Sequence, residues 1–293
     1  MRKDEYYENV KIKGVKDKPR EKKEKGQFAD ISFKKSLGQN FLSDKNLLNK
    51  IADYAEVNSN DAVLEIGAGA GTLTKVLASR AKKVRSYEVD LSLKERLNKL
   101  ELEHDNLEVV FQDFMETNIT EIFKEEKTFK VVANIPYYIT TPIIFKLMEI
   151  SNRISTMIFM VQKEVAERFA SKENCKDYGI TSVILQSVAD VKLLKVVRKE
   201  CFTPPPNVDS ALIEIRINKD KFGLKDLQGF SKFVHNCFAM RRKTLVNNLL
   251  KFYNFSKEEI IKKLEIINYP ENVRPEQINV ENYVKLFNIL KIN

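Results

Sequence analysis

The chain has 293 residues, 43% of them hydrophobic, a size that suits one large domain or a large domain with a smaller one. The three cysteines are far apart in sequence and form no CxxC pair, there are only two histidines, and tryptophan is absent. This composition argues against a metal site, a redox dithiol and histidine-based catalysis. The apolar runs are too short to span a bilayer, so we expect a cytoplasmic protein with reduced thiols.

The net charge of +9 is concentrated at the two ends of the chain. Residues 1–26 carry 10 basic and 6 acidic side chains, and residues 218–293 carry 14 basic and 8 acidic ones, whereas the middle of the chain is almost neutral. Basic ends suggest a polyanionic partner, with solubility as the open alternative. Residues 1–30 contain few apolar positions, which predicts a basic, disordered tail.

Helical and strand-like patterns alternate from residue 47 onward. The predicted elements are a helix at 47–54, a strand at 62–66, a helix at 72–78, a strand at 84–89, a helix at 91–102, strands at 107–111 and 129–133, a helix at 142–149, a strand at 156–161 and a helix from 163. This alternation is typical of an α/β fold whose parallel sheet is covered on both faces.

The pattern changes near residue 218. Residues 208–217 alternate apolar and polar side chains and are predicted to form a final strand, whereas the residues that follow are mostly helical. We therefore predict a Rossmann-like catalytic domain at residues 31–217 and a small α-helical domain at residues 218–293.

Three of the nine glycines, Gly67, Gly69 and Gly71, lie between a predicted strand and a predicted helix. Without a Cβ atom, the main chain of such a loop can approach a ligand closely. The dinucleotide fingerprint is GxGxxG, whereas the GxGxG spacing here, preceded by a glutamate, is typical of S-adenosylmethionine methyltransferases. We predict that Glu88, at the end of the next strand, binds the ribose of this donor, with Asp90 as the alternative.

The segment Asn134-Ile135-Pro136-Tyr137 follows a predicted strand, at the carboxyl edge of the sheet where α/β proteins bind ligands. The side-chain oxygen of Asn134 and the carbonyl of Ile135 or Pro136 can accept hydrogen bonds from both N–H groups of an adenine amine. Tyr137 offers a face for stacking the base, an interaction worth roughly 1–3 kcal/mol. A sulfonium donor already activates its methyl group, so positioning and desolvation can supply most of the catalysis. Tyr138 fits the core or the rim of the site equally well.

Further motifs accompany these two along the chain. The segments are Gly38-Gln-Asn-Phe-Leu42, Gly67-Ala-Gly-Ala-Gly71, Asn134-Ile-Pro-Tyr137, Phe202-Thr-Pro-Pro-Pro-Asn-Val-Asp-Ser-Ala211 and Arg241-Arg-Lys-Thr-Leu245. In this order they resemble the KsgA/RsmA family of rRNA adenine-N6 dimethylases, and the resemblance extends from residue 36 to the C-terminus. That family modifies two adjacent adenosines in the 3′-terminal hairpin loop of small-subunit (16S) rRNA.

The resemblance implies a class I S-adenosylmethionine methyltransferase fold, S-adenosylhomocysteine as product and no metal. The substrate would be rRNA within an immature 30S particle, and the enzyme would act as a monomer in ribosome biogenesis. The residues implied to bind the donor are Asn40, Leu42, Gly67, Gly69, Glu88 for the ribose, Asp113 for the adenine amine, and Asn134. The residues implied to act on the target adenine are Asn134, Pro136, Tyr137 and Phe202, with Phe202 stacking on the flipped base opposite Tyr137.

Lys232, Arg241, Arg242 and Lys243 form a basic cluster on predicted helices of the second domain. We predict that it binds RNA phosphates, which needs no base contact, although a solvated helix face is an open alternative. Two other functions also stay open. An Erm-like enzyme shares the Asn-Ile-Pro-Tyr motif but methylates one adenosine of large-subunit rRNA, and an RNA-binding assembly factor depends on binding more than on turnover.

Overall fold

The computed structural model describes residue 28 and residues 31–34, 37–218, 220–240 and 242–291. Most of the predicted tail at residues 1–30 therefore lies outside the described residues. Phe28 is described, and it is not part of a solvated tail: its ring is 5% exposed and lies 5.5 Å from the ring of Phe41. Together with Ala68 and Leu97 these rings belong to one apolar cluster, which explains why burial continues N-terminal to the predicted boundary at residue 31.

Nine strands occur in the described residues. They are β1 (Phe41–Leu42), β2 (Ala62–Ile66), β3 (Lys83–Glu88), β4 (Leu107–Phe111), β5 (Phe129–Asn134), β6 (Ile154–Gln162), β7 (Ala189–Val197), β8 (Phe202–Thr203) and β9 (Ser210–Ile217). Seven of them form one sheet in the order β4-β3-β2-β5-β6-β9-β7. The strands from β2 to β6 are parallel to their neighbours, and β9 is antiparallel to β6. The predicted α/β fold with a mainly parallel sheet is confirmed.

The described residues contain ten α-helices. They are α1 (Lys45–Tyr54), α2 (Thr72–Ala78), α3 (Lys94–Leu102), α4 (Thr140–Met148), α5 (Lys163–Ala170), α6 (Ile180–Gln186), α7 (Leu227–Cys237), α8 (Leu245–Phe252), α9 (Lys257–Ile266) and α10 (Val280–Leu290). The predicted helix at 91–102 is a 3₁₀ turn followed by α3, because Asp90 caps the first turn through Ser92 N–H. α6, β7 and the short β1–β8 pair were not predicted from the sequence.

Local sequence explains why these elements form where they do. All five residues of β2 are buried, as expected for a central strand covered on both faces. The carboxylate of Asp44 caps α1 by accepting hydrogen bonds from Asn46 and Leu47 N–H, and apolar residues at helical spacing then face the core. β7 was missed because it is an edge strand: Leu193 and Val196 are exposed, so its pattern does not alternate with burial.

The chain divides into two compact units, and their boundaries differ from the predicted ones. The described residues up to 163, together with 193–217, form the sheet unit, whereas residues 164–192 group with the described residues from 218 onward in the helical unit. The physical reason is that the segment around α6 bonds to the C-terminal helices. The hydroxyl of Tyr178 donates to the carbonyl of Ile278 at 2.8 Å, and the N–H of Asn174 donates to the carbonyl of Glu276 at 2.9 Å.

Aromatic side chains fill the core of the helical unit. The ring of Phe233 is fully buried and lies 5.6 Å from Phe287 and 6.4 Å from Phe230, Tyr253 and Tyr283. The buried hydroxyl of Tyr283 donates to the carbonyl of Pro275 at 2.7 Å, so its polar end is satisfied. No helix in the described part of the chain has the length and apolar character needed to cross a membrane.

Candidate active site

A cleft opens at the carboxyl ends of β2, β3, β4 and β5 in the sheet unit. Its lining consists of residues 37–42, 48, 65–70, 72, 73, 87–89, 112–114 and 134–139. Loops that follow neighbouring parallel strands meet at this edge, which is where open α/β sheets bind ligands. The cleft therefore collects the motifs that are far apart in sequence.

The glycine loop forms one wall of the cleft. Gly69 has φ +55°, a conformation that favours glycine, and its N–H donates to Oε2 of Glu88 at 2.7 Å. A Cβ atom on Gly69 would lie 3.0 Å from the ring of Phe41. Gly71 has φ +78° and begins α2, where a Cβ atom would lie 3.0 Å from the side chain of Leu100. Side chains at these positions would fill the wall and push α2 away from α3.

Glu88 ends β3 with its carboxylate at the cleft. Oε2 accepts from Gly69, and Oε1 accepts from the N–H groups of Val89 and Asp90 at 2.8 Å each. Burial raises the pKa of Glu88, and these main-chain hydrogen bonds partly oppose the rise. A carboxylate has about four lone-pair sites, and these three hydrogen bonds leave one site on Oε2 that can accept a hydroxyl group of a ligand.

Asp90, the alternative to Glu88, has a different role. Its side chain is buried outside the cleft lining, where Oδ1 lies 2.5 Å from Lys34 Nζ and Oδ2 accepts from Gln39 Nε2 at 2.6 Å. Burial alone would raise the pKa of Asp90, but the hydrogen bonds from Lys34, Ser92 and Gln39 lower it below its ordinary value. Asp90 thus fixes the position of the segment that contains Lys34 and Gln39 and leads into the cleft.

Glu65 is a buried acid in the floor of the cleft. It is 1% exposed, and one of its oxygens accepts a hydrogen bond from the hydroxyl of Ser86 at 2.5 Å. Burial raises the pKa of Glu65 to about 8, and the neighbouring charge of Glu88 adds to the rise. The carboxyl is therefore mostly protonated at neutral pH. In the sequence, this acid is marked only by its place before the glycine motif.

Asn134 lies at the end of β5, where its side-chain amide is oriented by a main-chain group. Nδ2 donates to the carbonyl of Asn40 at 3.2 Å, while the side chain of Asn40 donates to the carbonyl of Gly38 at 2.9 Å. The bond through Nδ2 leaves Oδ1 of Asn134 available as an acceptor in the cleft. The opening motif and the Asn-Ile-Pro-Tyr motif are thus joined by one hydrogen bond.

The carbonyls of Ile135 and Pro136, the two candidate acceptors for the adenine amine, differ in the hydrogen bonds that they already accept. The carbonyl of Pro136 accepts from the N–H of Ile139 at 3.2 Å and from the hydroxyl of Thr140 at 3.4 Å, which closes the turn before α4. These bonds leave the carbonyl of Ile135 as the better acceptor for a ligand. Pro136 has φ −55° and lies against Gly67, where a Cβ atom would be 3.4 Å from its ring.

Two consecutive tyrosines line the cleft in different ways. The hydroxyl of Tyr137 lies 2.6 Å from the hydroxyl of Ser210, and burial raises its pKa. Tyr138 is 41% exposed, and its ring lies 3.4 Å from the position that a Cβ atom of Gly38 would occupy. Tyr138 therefore belongs to the rim and not to the core.

Asp113 and Leu42 are also in the lining. Asp113 follows β4, and its Oδ1 accepts from the N–H of Met115 at 2.8 Å, which leaves Oδ2 for a ligand. Leu42 is buried in β1, and its carbonyl accepts from the hydroxyl of Thr72 at 2.8 Å. The structure thus brings all the predicted donor-binding residues to one cleft: Asn40, Leu42, Gly67, Gly69, Glu88, Asp113 and Asn134.

Comparisons with known proteins agree with this geometry. The family profile described as ribosomal RNA adenine dimethylase matches residues 31–291.

The chain belongs to the ribosomal RNA adenine dimethylase family.

Relatives extend over most of the chain. The ribosomal RNA small subunit methyltransferase A of Bacillus cytotoxicus is 41% identical over 268 residues, which cover 89% of this chain and 92% of that protein. Its counterpart from Clostridium acetobutylicum is 39% identical, with 88% and 93% covered. The crystal structure of a dimethyladenosine transferase from Plasmodium falciparum has a TM-score of 0.74 and 28% identity, with 86% and 98% covered. That of the 23S rRNA methyltransferase ErmE has a TM-score of 0.67 and 29% identity, with 86% and 100% covered.

The methyl donor of this dimethylase family is S-adenosylmethionine, and the cleft fits it. The glycine wall leaves room for a ligand, and Oε2 of Glu88 can accept a hydroxyl group of a ligand. The donor supplies an activated methyl group, so the protein needs to position the acceptor and exclude water. In the described residues, no group of three or more histidine, cysteine or acidic side chains is arranged to hold a metal ion.

One predicted site residue of this dimethylase does not reach the cleft. Phe202 is 2% exposed and packs in the core with Leu42 and Leu212. In β8 it lies opposite Leu42 of β1, and this pairing turns its ring into the core. Phe202 is therefore absent from the cleft lining, and its stacking on the flipped base stays a prediction. Its packing supports Leu42, which does line the cleft.

The predicted RNA-binding residues belong to the helical unit. Lys232 is exposed on α7, but Arg242 and Lys243 lie in the turn before α8 and not on a helix. The reason is that Thr244 caps α8 by accepting from the N–H of Asn247, so the helix begins only at residue 245. Arg241 lies outside the described residues.

Proposed function

We propose that this dimethylase transfers methyl groups from S-adenosylmethionine to the N6 amines of two adjacent adenosines in the 3′-terminal hairpin loop of small-subunit rRNA. The substrate would be the RNA within an immature 30S particle, the enzyme would act as a monomer, and the reaction would take place in the cytoplasm. The choice of the small subunit is supported by relatives that carry small subunit methyltransferase names at 39–41% identity.

The observation that carries the proposal is the orientation of Asn134. Because Nδ2 donates to the carbonyl of Asn40, Oδ1 is free to accept one N–H of the adenine amine, and the carbonyl of Ile135 can accept the other. Two acceptors localise the nitrogen lone pair, which is otherwise delocalised into the ring, and orient it toward the methyl group. Such positioning of two reactants can supply a large part of the barrier reduction.

On the donor side, we propose that Glu88 binds the ribose hydroxyls and Asp113 the adenine amine. Asn40, Leu42, Gly67 and Gly69 would form the wall of the pocket. Charge-assisted hydrogen bonds of this kind contribute about 1.5–3 kcal/mol each. The ring of Tyr137 would stack on the target base, which must leave its helix or come from a loop.

The decisive experiment uses immature small subunits and, in a parallel reaction, large subunits, both from cells that lack this activity. The protein and labelled donor are added, and nucleosides are analysed by mass spectrometry. We expect N6,N6-dimethyladenosine at two adjacent positions of small-subunit rRNA and no label in large-subunit rRNA. Label in a single adenosine of large-subunit rRNA would instead support the Erm-like alternative, for which the similarity to ErmE is the motivating observation.

An assembly factor whose turnover is dispensable is the second alternative. It would be supported if an Asn134→Ala variant, inactive in methyl transfer, restored normal subunit assembly in those cells. Under the enzymatic proposal, we expect incomplete rescue.

RNA binding by the helical unit can be tested by salt dependence. Replacing Lys232, Arg242 and Lys243 together by Ala should reduce the log–log slope of subunit affinity against salt by up to about 0.9 for each phosphate that is no longer neutralised. The matched control is Lys285→Ala, because Nζ of Lys285 lies 2.7 Å from the carboxylate of Glu281. An unchanged slope in the triple variant would contradict the phosphate-binding role.

A further inference from the structure

The hydroxyl group of Tyr137 is held inside the protein and not in the cleft. Its oxygen lies 2.6 Å from Oγ of Ser210, and Ser210 is fully buried at the first position of β9. A tyrosine side chain with a hydrogen bond at its far end keeps one ring orientation, because both side-chain torsions are then constrained. Tyr137 is at the same time one of the residues that line the cleft.

The partner of this hydroxyl is rigid relative to the reacting groups. Ser210 lies opposite Gln162 in the antiparallel pairing of β9 with β6. β6 in turn pairs in parallel with β5, which ends at Asn134 opposite Met160. The sheet therefore fixes the distance between Ser210 Oγ and the Asn134 amide. A bond from Tyr137 to Ser210 places the ring in the same frame as the acceptor of the amine.

The near end of the ring is held as well. The turn Tyr137–Ile139 is closed by Ile139 N–H on the carbonyl of Pro136, and the hydroxyl of Thr140 lies 3.3 Å from the carbonyl of Tyr137. Tyr138 provides a contrast within the same turn: it is 41% exposed, and no hydrogen bond of its hydroxyl occurs in the part of the chain that the structure describes. Of these two tyrosines, only Tyr137 is held by hydrogen bonds both at its main chain and at its hydroxyl group.

We propose that Ser210 is a positioning residue that holds the ring of Tyr137 in the orientation in which its face meets the target adenine. This inference rests on the proposed function and extends it to a residue outside the cleft lining. If the hydrogen bond between Ser210 and Tyr137 only stabilised the fold, its loss would lower the melting temperature without changing how the target base is held. If it positions the ring, its loss lowers kcat as well.

The test compares Ser210→Ala, Tyr137→Phe and the double variant on immature small subunits. Loss of one neutral hydrogen bond that orients the ring should lower kcat about 3- to 10-fold in each single variant. Because both substitutions remove the same hydrogen bond, the double variant should show the same loss and not the product of the two losses. Donor affinity, measured by calorimetry, should stay at the wild-type value, which gives the measurement a readout that does not depend on turnover.

The melting temperatures of the three variants distinguish a positioning role of Ser210 from a role in stability alone. Ser210→Ala leaves a buried phenol without its partner, whereas the double variant removes both polar groups, so its melting temperature should return toward the wild-type value. We expect this recovery in melting temperature without recovery in kcat. If kcat follows the melting temperature across the three variants, Ser210 acts only on stability and the inference is wrong.

A second readout reports base stacking directly. RNA with 2-aminopurine at the target position should lose fluorescence when the base stacks on Tyr137, and this quenching should be reduced in all three variants. One control is Ser155→Ala, which removes a serine hydroxyl at the other end of β6. The other is Tyr54→Phe, which removes a tyrosine hydroxyl from α1. Both should retain wild-type kcat and quenching.

The outcomes distinguish this inference from the proposed function. An active wild-type protein with unchanged kcat and quenching in Ser210→Ala and Tyr137→Phe overturns the role of Ser210 alone. A wild-type protein that methylates no adenosine of the immature subunit overturns both the proposed function and the inference.

Discussion

The sheet unit and the helical unit bury different kinds of polar side chain. The buried polar residues of the sheet unit include four carboxylates and are Glu65, Thr74, Ser86, Glu88, Asp90, Thr140, Ser151, Ser210 and Glu214. In the described part of the helical unit the buried polar residues are Ser182, Ser187 and Asn248, with no carboxylate among them. Burial of a carboxylate is costly unless its oxygens have partners. Three of the four carboxylates, those of Glu65, Glu88 and Asp90, lie in the cleft or directly beside it, and each has hydrogen-bond partners.

The helical unit uses its interior for packing. Aromatic rings around Phe233 fill it, and its few buried polar groups bond to main-chain atoms, as Asn248 does with Met240 and Thr244. The contrast shows that, among the described residues, the buried carboxylates lie in the unit that contains the cleft. Substitutions in the cleft should therefore change function more than stability, and substitutions in the helical core should do the reverse.

The largest expected effect lies in the helical core. Phe233→Ala should destabilise the helical unit by about 3–5 kcal/mol, because it removes a fully buried ring and leaves a cavity. Urea unfolding followed by circular dichroism measures the change. Phe252→Ala is the matched control: this ring is 41% exposed, and its loss should cost about 1 kcal/mol or less. Equal losses in both variants would contradict the assignment of stability to the aromatic core.

A substitution in the cleft should reduce activity and leave stability almost unchanged. Asn134→Ala should lower kcat by about 100- to 1,000-fold, the usual cost of removing one positioned hydrogen-bonding group in a transition state, while the melting temperature stays close to wild type. The control is Asn60→Ala, a substitution of an exposed asparagine in the same unit. A folded Asn134→Ala protein with most of its activity would disprove the acceptor role.

Glu88, which ends β3, and Asp90, two residues later, should differ in their effect on donor binding. Glu88→Ala should weaken donor binding by about 1.5–3 kcal/mol for each hydrogen bond to a ribose hydroxyl that is removed. Asp90→Asn should weaken it less, since Asp90 acts through Lys34 and Gln39 and not on the donor. Calorimetry with S-adenosylmethionine measures both, with the exposed Glu116→Ala as control. The ribose role would pass to Asp90 if the order of the two effects were reversed.

The last prediction concerns the pH dependence of stability. The folded protein keeps a proton on Glu65 up to about pH 8, whereas the unfolded chain releases it near the ordinary value of 4.5. The unfolded state therefore binds fewer protons between these values, so this group makes the protein less stable as pH rises from about 5 to 8. The loss is complete above the folded pKa. Stability below about pH 4.5 is unaffected by this group.

Glu65→Gln cannot ionise and should remove that part of the pH dependence. Unfolding free energies measured from pH 5 to about pH 8.5 should fall less steeply in Glu65→Gln than in wild type. The exposed substitution Glu103→Gln should keep the wild-type slope. Identical slopes in wild type and Glu65→Gln would mean that the buried acid is ionised in the folded protein.

Local patterns in the sequence determined much of the fold and the identity of the cleft. β2, α2 and β4 have the predicted bounds, because a short apolar run or a regular helical face is encoded within a few residues. The sequence also indicated that the residues predicted to bind the donor share one cleft, since motifs that follow parallel strands meet at one edge of the sheet.

Tertiary structure alone decided the rest. Phe202 enters the core because β8 pairs with β1, and no local pattern indicates a pairing between two strands so far apart in the sequence. The same limit applies to Asp90, whose partners Lys34 and Gln39 are distant in sequence, to residues 164–192, which pack with the C-terminal helices, and to Ser210. The sequence specifies which groups can bond and which surfaces are apolar. The partner that each group finds depends on long-range pairing, which only the folded chain defines.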